Sequence, residues 1–132
     1  MLSHLLDTNI CIYAMARRSD KVIRNIVEHN DRLAISTITL MELTAGAEKS
    51  REVSRNLADL AAFSARLEVL PFDAKAATHA GQVKVQLERK GTPIGAYDLL
   101  IAGHARAEGL VLVSNNLREF KRVEGLRVEN WV

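Results

Sequence analysis

Residues 110–116 read Leu110-Val111-Leu112-Val113-Ser114-Asn115-Asn116. An uninterrupted apolar run of this length, ending in small polar residues, describes a strand buried on both faces, as in a parallel sheet covered by helices. The residues before it, Asp98 to Glu108, have helical spacing and stop at Gly109. After it come a short helix near Leu117 to Lys121 and a last strand, Leu126 to Glu129. The same alternation holds towards the N-terminus. His4-Leu5-Leu6 reads as a short strand ending at Asp7, and Thr8 or Asn9 can start a helix through Ile10, Cys11, Tyr13 and Ala14. Asp20 to Glu28 forms a second helix with Val22, Ile23, Ile26 and Val27 on its apolar side. Arg32 to Ser36 is strand two, and Ser36, Thr37 and Thr39 can each cap the helix holding Ile38, Leu40, Met41, Leu43 and Ala47. A helix from about Glu52 to Arg66 leads to strand three, Glu68 to Phe72, with Pro71 marking an edge or a strand end. Asp73 caps a helix through Val83 and Leu87 that closes at Lys90-Gly91, and residues 91–95 form a loop by their Gly and Pro content. Right-handed crossovers then predict an α/β fold: one domain over residues 1–132, with an about five-stranded parallel central sheet and helices on both faces.

The composition permits this and excludes several other classes. With 132 residues, 48% of them hydrophobic and 26% charged, the chain can bury a core without disulfides or a structural metal. One cysteine, Cys11, rules out an internal disulfide and suits a reducing compartment. The first residues are too short an apolar patch for a signal peptide, and no apolar run approaches the ~20 residues that span a bilayer. The expected location is cytoplasmic, without membrane contact. The net charge of +2 says little. The basic residues, however, gather at 17–24, 84–90 and 118–127, which are solvated helix faces unless they border a site.

In open α/β sheets ligands bind beyond the carboxyl ends of the strands. Asp7 follows strand one, and Asn115 and Asn116 follow the 110–114 strand, with Glu119 one helical turn on. Glu42 and Asp98 lie near the starts of helices. Asp7 and Asp98 can equally be helix caps, and Glu42 can be a surface side chain, although its setting in Leu40-Met41-Glu42-Leu43 favours partial burial. Carboxylates that converge repel one another, and a divalent cation relieves the repulsion. Hard oxygen donors suit Mg²⁺ or Mn²⁺, and such an ion suits phosphodiester hydrolysis. The four histidines lack zinc-ligand spacing, and no phosphate loop, dinucleotide fingerprint or nucleophile elbow is present. A phosphoacceptor receiver-like domain is disfavoured, because the late strand ends in Ser-Asn-Asn and Glu42 would have no role.

Four stretches carry a family resemblance: Leu6-Asp7-Thr8-Asn9, Thr39-Leu40-Met41-Glu42-Leu43, Pro93 to Ala102 around Asp98, and Val113-Ser114-Asn115-Asn116 followed by Arg118-Glu119-Phe120. In this order and spacing, and with the end Glu129-Asn130-Trp131, the sequence resembles the PIN-domain VapC toxins, nearest to the subgroup associated with initiator tRNA. The resemblance implies a Mg²⁺-dependent endoribonuclease, with Mn²⁺ able to substitute, that cuts a tRNA anticodon stem-loop. It implies Asp7, Glu42 and Asp98 as metal-binding carboxylates, Asn116 where many members have a fourth acid, and Glu119 as the acid able to complete the set. Thr8, Asn9 and Ser114 become supporting residues, and Arg17, Arg18, Arg118 and Lys121 the expected RNA contacts. The implied partners are a VapB-type antitoxin whose C-terminal segment occludes the site, a second copy of the chain, and operator DNA reached only through the antitoxin. Two departures stand out: Asn116 is neutral, and Ala96-Tyr97 precedes Asp98 where relatives often carry Pro and a polar or aromatic residue. A non-catalytic RNA- or antitoxin-binding protein of the same fold is the alternative.

Overall fold

The computed structural model describes residues 1–132. Along the chain come β1 (His4–Leu6), α1 (Thr8–Met15), α2 (Asp20–Glu28), β2 (Leu33–Ser36), α3 (Thr37–Glu48), α4 (Val53–Ser64), β3 (Glu68–Leu70), α5 (Ala74–Arg89), α6 (Ala96–Glu108), β4 (Val111–Val113), α7 (Leu117–Phe120) and β5 (Val128–Glu129). The strands form one five-stranded sheet in the order β3-β2-β1-β4-β5, and every pairing is parallel. The chain builds outward from β1 to β3, then returns to place β4 on the other side of β1. The direction of winding therefore reverses between β1 and β4, which opens a crevice beyond their carboxyl ends.

Alternating strand residues feed two cores. Leu5, Ala34 and Leu112 point to one face, where Val83 and Leu87 of α5, Ile101, Ala102 and Ala105 of α6, and Phe120 of α7 cover them. Leu6, Leu33, Ile35 and Val113 point to the other, against Ile10 and Cys11 of α1, Val22 of α2, Leu43 of α3, Leu60 of α4 and Trp131. Both faces of the central strands are thus apolar, which is why their sequences show no alternation.

Local chemistry sets the boundaries. Asp7, Ser19, Ser36 and Asp73 cap α1, α2, α3 and α5, each accepting a backbone N–H within the first turn. At the end of α6, Gly109 takes φ +68°, and Leu110 N–H donates to Ala105 O at 3.0 Å, the 6→1 bond of a Schellman turn. The same bond, Arg18 N–H to Tyr13 O at 3.0 Å, closes α1 with Arg17 in the left-handed position at φ 52°. On the helical face, α5 and α6 approach so closely that a Cβ at Gly103 would lie 2.5 Å from Ala80 Cα.

Three sequence expectations are corrected. Asp98 does not cap α6: Gly95 does, and the helix begins at Ala96 with Asp98 inside its first turn. The last strand holds only Val128 and Glu129 rather than Leu126 to Glu129, because Val128 and Glu129 alone pair with β4, opposite Leu112 and Val113. Strand three stops at Leu70, before Pro71, which lacks an N–H to donate.

Candidate functional site

Asp7 is the centre of the crevice. It ends β1, is 3% exposed, and accepts the Ile10 amide at 2.9 Å on Oδ1. Burial pushes its carboxyl up to about 6, and the charges of Asp98 and Glu42 add to the rise, while the Ser114 hydroxyl and the Ile10 amide oppose it. The capping and functional readings of Asp7 are therefore compatible. One oxygen serves the helix, and the group remains in mutual repulsion with two other acids.

Glu42 sits half-buried on α3, one turn after buried Thr39. The Thr8 hydroxyl donates to Glu42 Oε1 at 2.7 Å, and Thr8 Oγ1 lies 3.2 Å from Thr39 Oγ1. This threonine pair locks α1 to α3 and holds the carboxylate towards Asp7. Asp98, freed from capping, projects from the first turn of α6. Its carboxyl is raised by burial, then by the charges of Glu119 and Glu42. Glu119 lies in the first turn of α7, where the Asn116 amide donates to its Oε2 at 3.0 Å. The Asn116 backbone N–H in turn donates to Ser114 Oγ at 2.9 Å. The neutral residue at 116 thus positions the neighbouring acid.

Asp7, Glu42, Asp98 and Glu119 form one electrostatic neighbourhood. Every ion pair of the protein lies elsewhere, at His4–Glu129, Arg55–Glu52, Lys84–Glu88 and Lys90–Glu124. What offsets the repulsion is the positive ends of α1 and α6, which start here. No three of the chain's histidine, cysteine, aspartate and glutamate side chains close into a ready-made cage. The acids are nevertheless near enough for their charges to act on one another, Asp98 and Glu42 on Asp7, and Glu119 and Glu42 on Asp98.

The remaining expected residues fall in two groups. Ser114 is fully buried beside Asp7, whereas Asn9 is exposed on α1. Arg118 and Lys121 are exposed on and just after α7, next to Glu119. Arg17 and Arg18 lie past the far end of α1, whose eight residues span about 12 Å, so they are not gathered with the acids. Thr39, one of three possible caps of α3 by sequence, belongs instead to the site. Its i, i+3 spacing to Glu42 was the signal that placed both on one helical face. Alongside Glu42 begins a groove of about 450 Å³ floored by Ile12, Met15 and Leu60. A second groove of about 680 Å³, lined by Ile23, Ile26 and Phe63 among others, shares Met15 and Asp59 with it.

Residues 4–126 match the family model described as "PIN domain". The chain is a PIN-domain protein of the VapC family. It is 51% identical over 131 residues, 99% of both chains, to the tRNA(fMet)-specific endonuclease VapC of Salmonella typhimurium. It is also 48% identical over 132 residues, the full length of both, to the Ribonuclease VapC2 of Haemophilus influenzae. Among solved structures it superposes with a TM-score of 0.96 on a chain of the DNA-bound VapBC complex from Salmonella typhimurium, at 51% identity and full coverage of both. The parallel α/β sheet expected from the alternation of strands and helices, and the PIN fold that the resemblance implies, are both found.

Proposed function

We propose that this chain is a divalent-cation-dependent endoribonuclease, the toxin of a VapBC-type toxin–antitoxin pair, cutting a structured RNA. The observation that carries the reading is the set of four acids at the winding reversal with no cationic side chain paired to any of them. The relatives named as a tRNA(fMet)-specific endonuclease and a ribonuclease favour RNA, and initiator tRNA in particular, as substrate.

The donor set fits Mg²⁺, with Mn²⁺ as a substitute. It consists of oxygens only, and Mg²⁺ keeps several waters and takes one or two carboxylates directly, so acids that do not close into a tight cage suffice. Asp7 and Asp98 are the proposed direct ligands, and the ion's chemistry would be to polarise the phosphoryl group and neutralise charge on the leaving oxygen. The chain's own side chains do the rest. Thr8 engages Glu42 Oε1 and so leaves Oε2 to accept a proton from the attacking water. Asn116 fixes Glu119 on the opposite wall. Arg118 and Lys121 hold the phosphate backbone that the acids repel, an interaction that weakens with salt. Growth arrest follows from loss of the cut RNA.

The antitoxin is proposed to lie along the two grooves and end at Glu42, bringing a basic side chain to the unpaired acids. Operator DNA is then reached through the antitoxin, in keeping with the DNA-bound VapBC structure. Of the apolar side chains on α1 and α2, Ile10 and Val22 are fully buried in the core, while Ile12 and Val27 are exposed and free to meet a partner.

The test is cleavage of a tRNA stem-loop with and without chelator. Activity should vanish with chelator, return with Mg²⁺ or Mn²⁺, and be lost in Asp7→Asn, Glu42→Gln and Asp98→Asn proteins that keep the parental circular dichroism. Folded variants that still cut, or cutting unaffected by chelation, refute the reading. A protein that binds RNA tightly and never cuts it favours the non-catalytic alternative.

A further inference from the structure

The chain has six aromatic residues among its Phe, Tyr and Trp, and Tyr97 alone is exposed. It lies in the first turn of α6 immediately before Asp98, at 50% exposure. Successive side chains on a helix point about 100° apart, so the ring does not touch the carboxylate; it projects into solvent from the same first turn of α6 that carries Asp98. Glu42 is flanked in the same way by Met41, 41% exposed. Of the three half-buried acids, Glu42 and Asp98 are thus each preceded by a large, exposed, uncharged side chain, and Glu119 by Arg118.

A site made of carboxylates has a binding problem. The groups that would hold a cation repel the phosphate that must approach it, and a lysine or arginine placed beside Asp98 would pair with the acid and occupy the cation's place. An aromatic face avoids this conflict, because it attracts a nucleobase without adding charge. Single-stranded loops present unstacked bases to such faces, whereas a duplex keeps its bases stacked inside. Resting on the nuclease reading above, we propose that Tyr97 is a substrate-binding residue that stacks on an unpaired nucleobase next to the phosphate cut at Asp98. The preference for an RNA loop over a duplex then resides partly in this ring.

The experiment uses the full chain carrying Asp7→Asn, so that bound RNA is not cut, with Tyr97→Phe, Tyr97→Leu or Tyr97→Ala added. The probes are an RNA stem-loop bearing 2-aminopurine at one unpaired position and a blunt RNA duplex of equal length. Stacking should quench the fluorophore, and Tyr97→Phe should retain both quenching and affinity. Tyr97→Ala and Tyr97→Leu should lose the quenching and weaken stem-loop binding by on the order of tenfold, with duplex binding unchanged. Leucine keeps an apolar side chain at the position, so a matching loss in both variants identifies the aromatic face. Stem-loop affinity within twofold of the Asp7→Asn protein, an equal loss on duplex and loop, or no RNA binding at all overturns the proposal. Failure of the nuclease reading appears separately, as absence of stem-loop cleavage by the chain with Asp7 intact. The binding measurements decide the role of Tyr97 in either case.

Discussion

Replacing Asp7 by Asn should make the metal-free protein more stable at neutral pH. An ordinary aspartate ionises near 3.8, and burial among other acids raises Asp7 to about 6. At about 1.4 kcal/mol per pKa unit, keeping Asp7 ionised in the folded chain costs about 3 kcal/mol at pH 7. The sign follows from proton linkage: a carboxyl whose folded pKa is raised binds its proton more tightly when folded. Below the unfolded value of 3.8 both states are protonated and no penalty exists. As pH rises from there to about 6 the unfolded chain ionises first, and the stability contributed by this group is lost and stays lost above. Asparagine keeps the oxygen that accepts the Ile10 amide and carries no charge, but its new N–H groups need partners, which lowers the gain to about 2 kcal/mol. In a domain of this size that is a rise in melting temperature of roughly 5–10 °C at pH 7. The assay is thermal unfolding of both proteins in chelator across the acid range. All other titrating groups are common to the two, so the difference between the curves reports Asp7 together with its coupling to Asp98 and Glu42. It should be largest near pH 7 and vanish below about pH 4. Added Mg²⁺ should narrow the gap by stabilising the parent alone. A variant no more stable than its parent at pH 7, or a difference that does not change with pH, would refute the account of Asp7.

Divalent-cation affinity, measured by calorimetry, should fall as pH drops through about 6, because Asp7 must release its proton to become a ligand; affinity flat between about pH 5 and 7 counts against Asp7 as a ligand. Thr8→Val removes the hydroxyl that donates to Glu42 Oε1 and meets Thr39 while keeping the shape, so kcat should fall about tenfold or more with a stability loss of only about 1–2 kcal/mol; unchanged turnover in the folded variant means that Glu42 needs no such anchor. Gly103→Ala puts a methyl group 2.5 Å from Ala80 Cα and should destabilise the protein by about 1–3 kcal/mol in urea unfolding. Ser36→Ala deprives fully buried His104 of the hydroxyl 2.8 Å from its Nδ1, and a loss of about 1–3 kcal/mol is expected.

Most of the architecture was readable because its signals are local. Asp73 and Ser36 cap the helices they precede, Gly109 and Gly91 supply positive φ at helix ends, and the unbroken apolar strands announce burial on two faces. Asp7, Glu42 and Asp98 could be picked out because acids near strand ends and helix starts have few roles. What the sequence hid depends on who meets whom. Nothing local reveals that Gly95 rather than Asp98 caps α6, that Thr39 turns to Thr8 instead of capping α3, or that His104 reaches Ser36 across 68 residues. The approach of α5 to α6 was equally silent, since a glycine and an alanine leave no apolar period to read. Arg17 and Arg18 follow Asp7 closely in sequence, but α1 carries them away from it.

The strand order has an effect on when the protein can act. β1, the first strand to be synthesised, has β4 as its neighbour on one side, and Asn116 and Glu119 are attached just beyond β4. Until β4 has been made and docked, one side of β1 stays vacant and the crevice lacks a wall. The acids on the two sides of the crevice can therefore meet only after β4 has docked on β1, so the site is among the last features of the fold to be assembled.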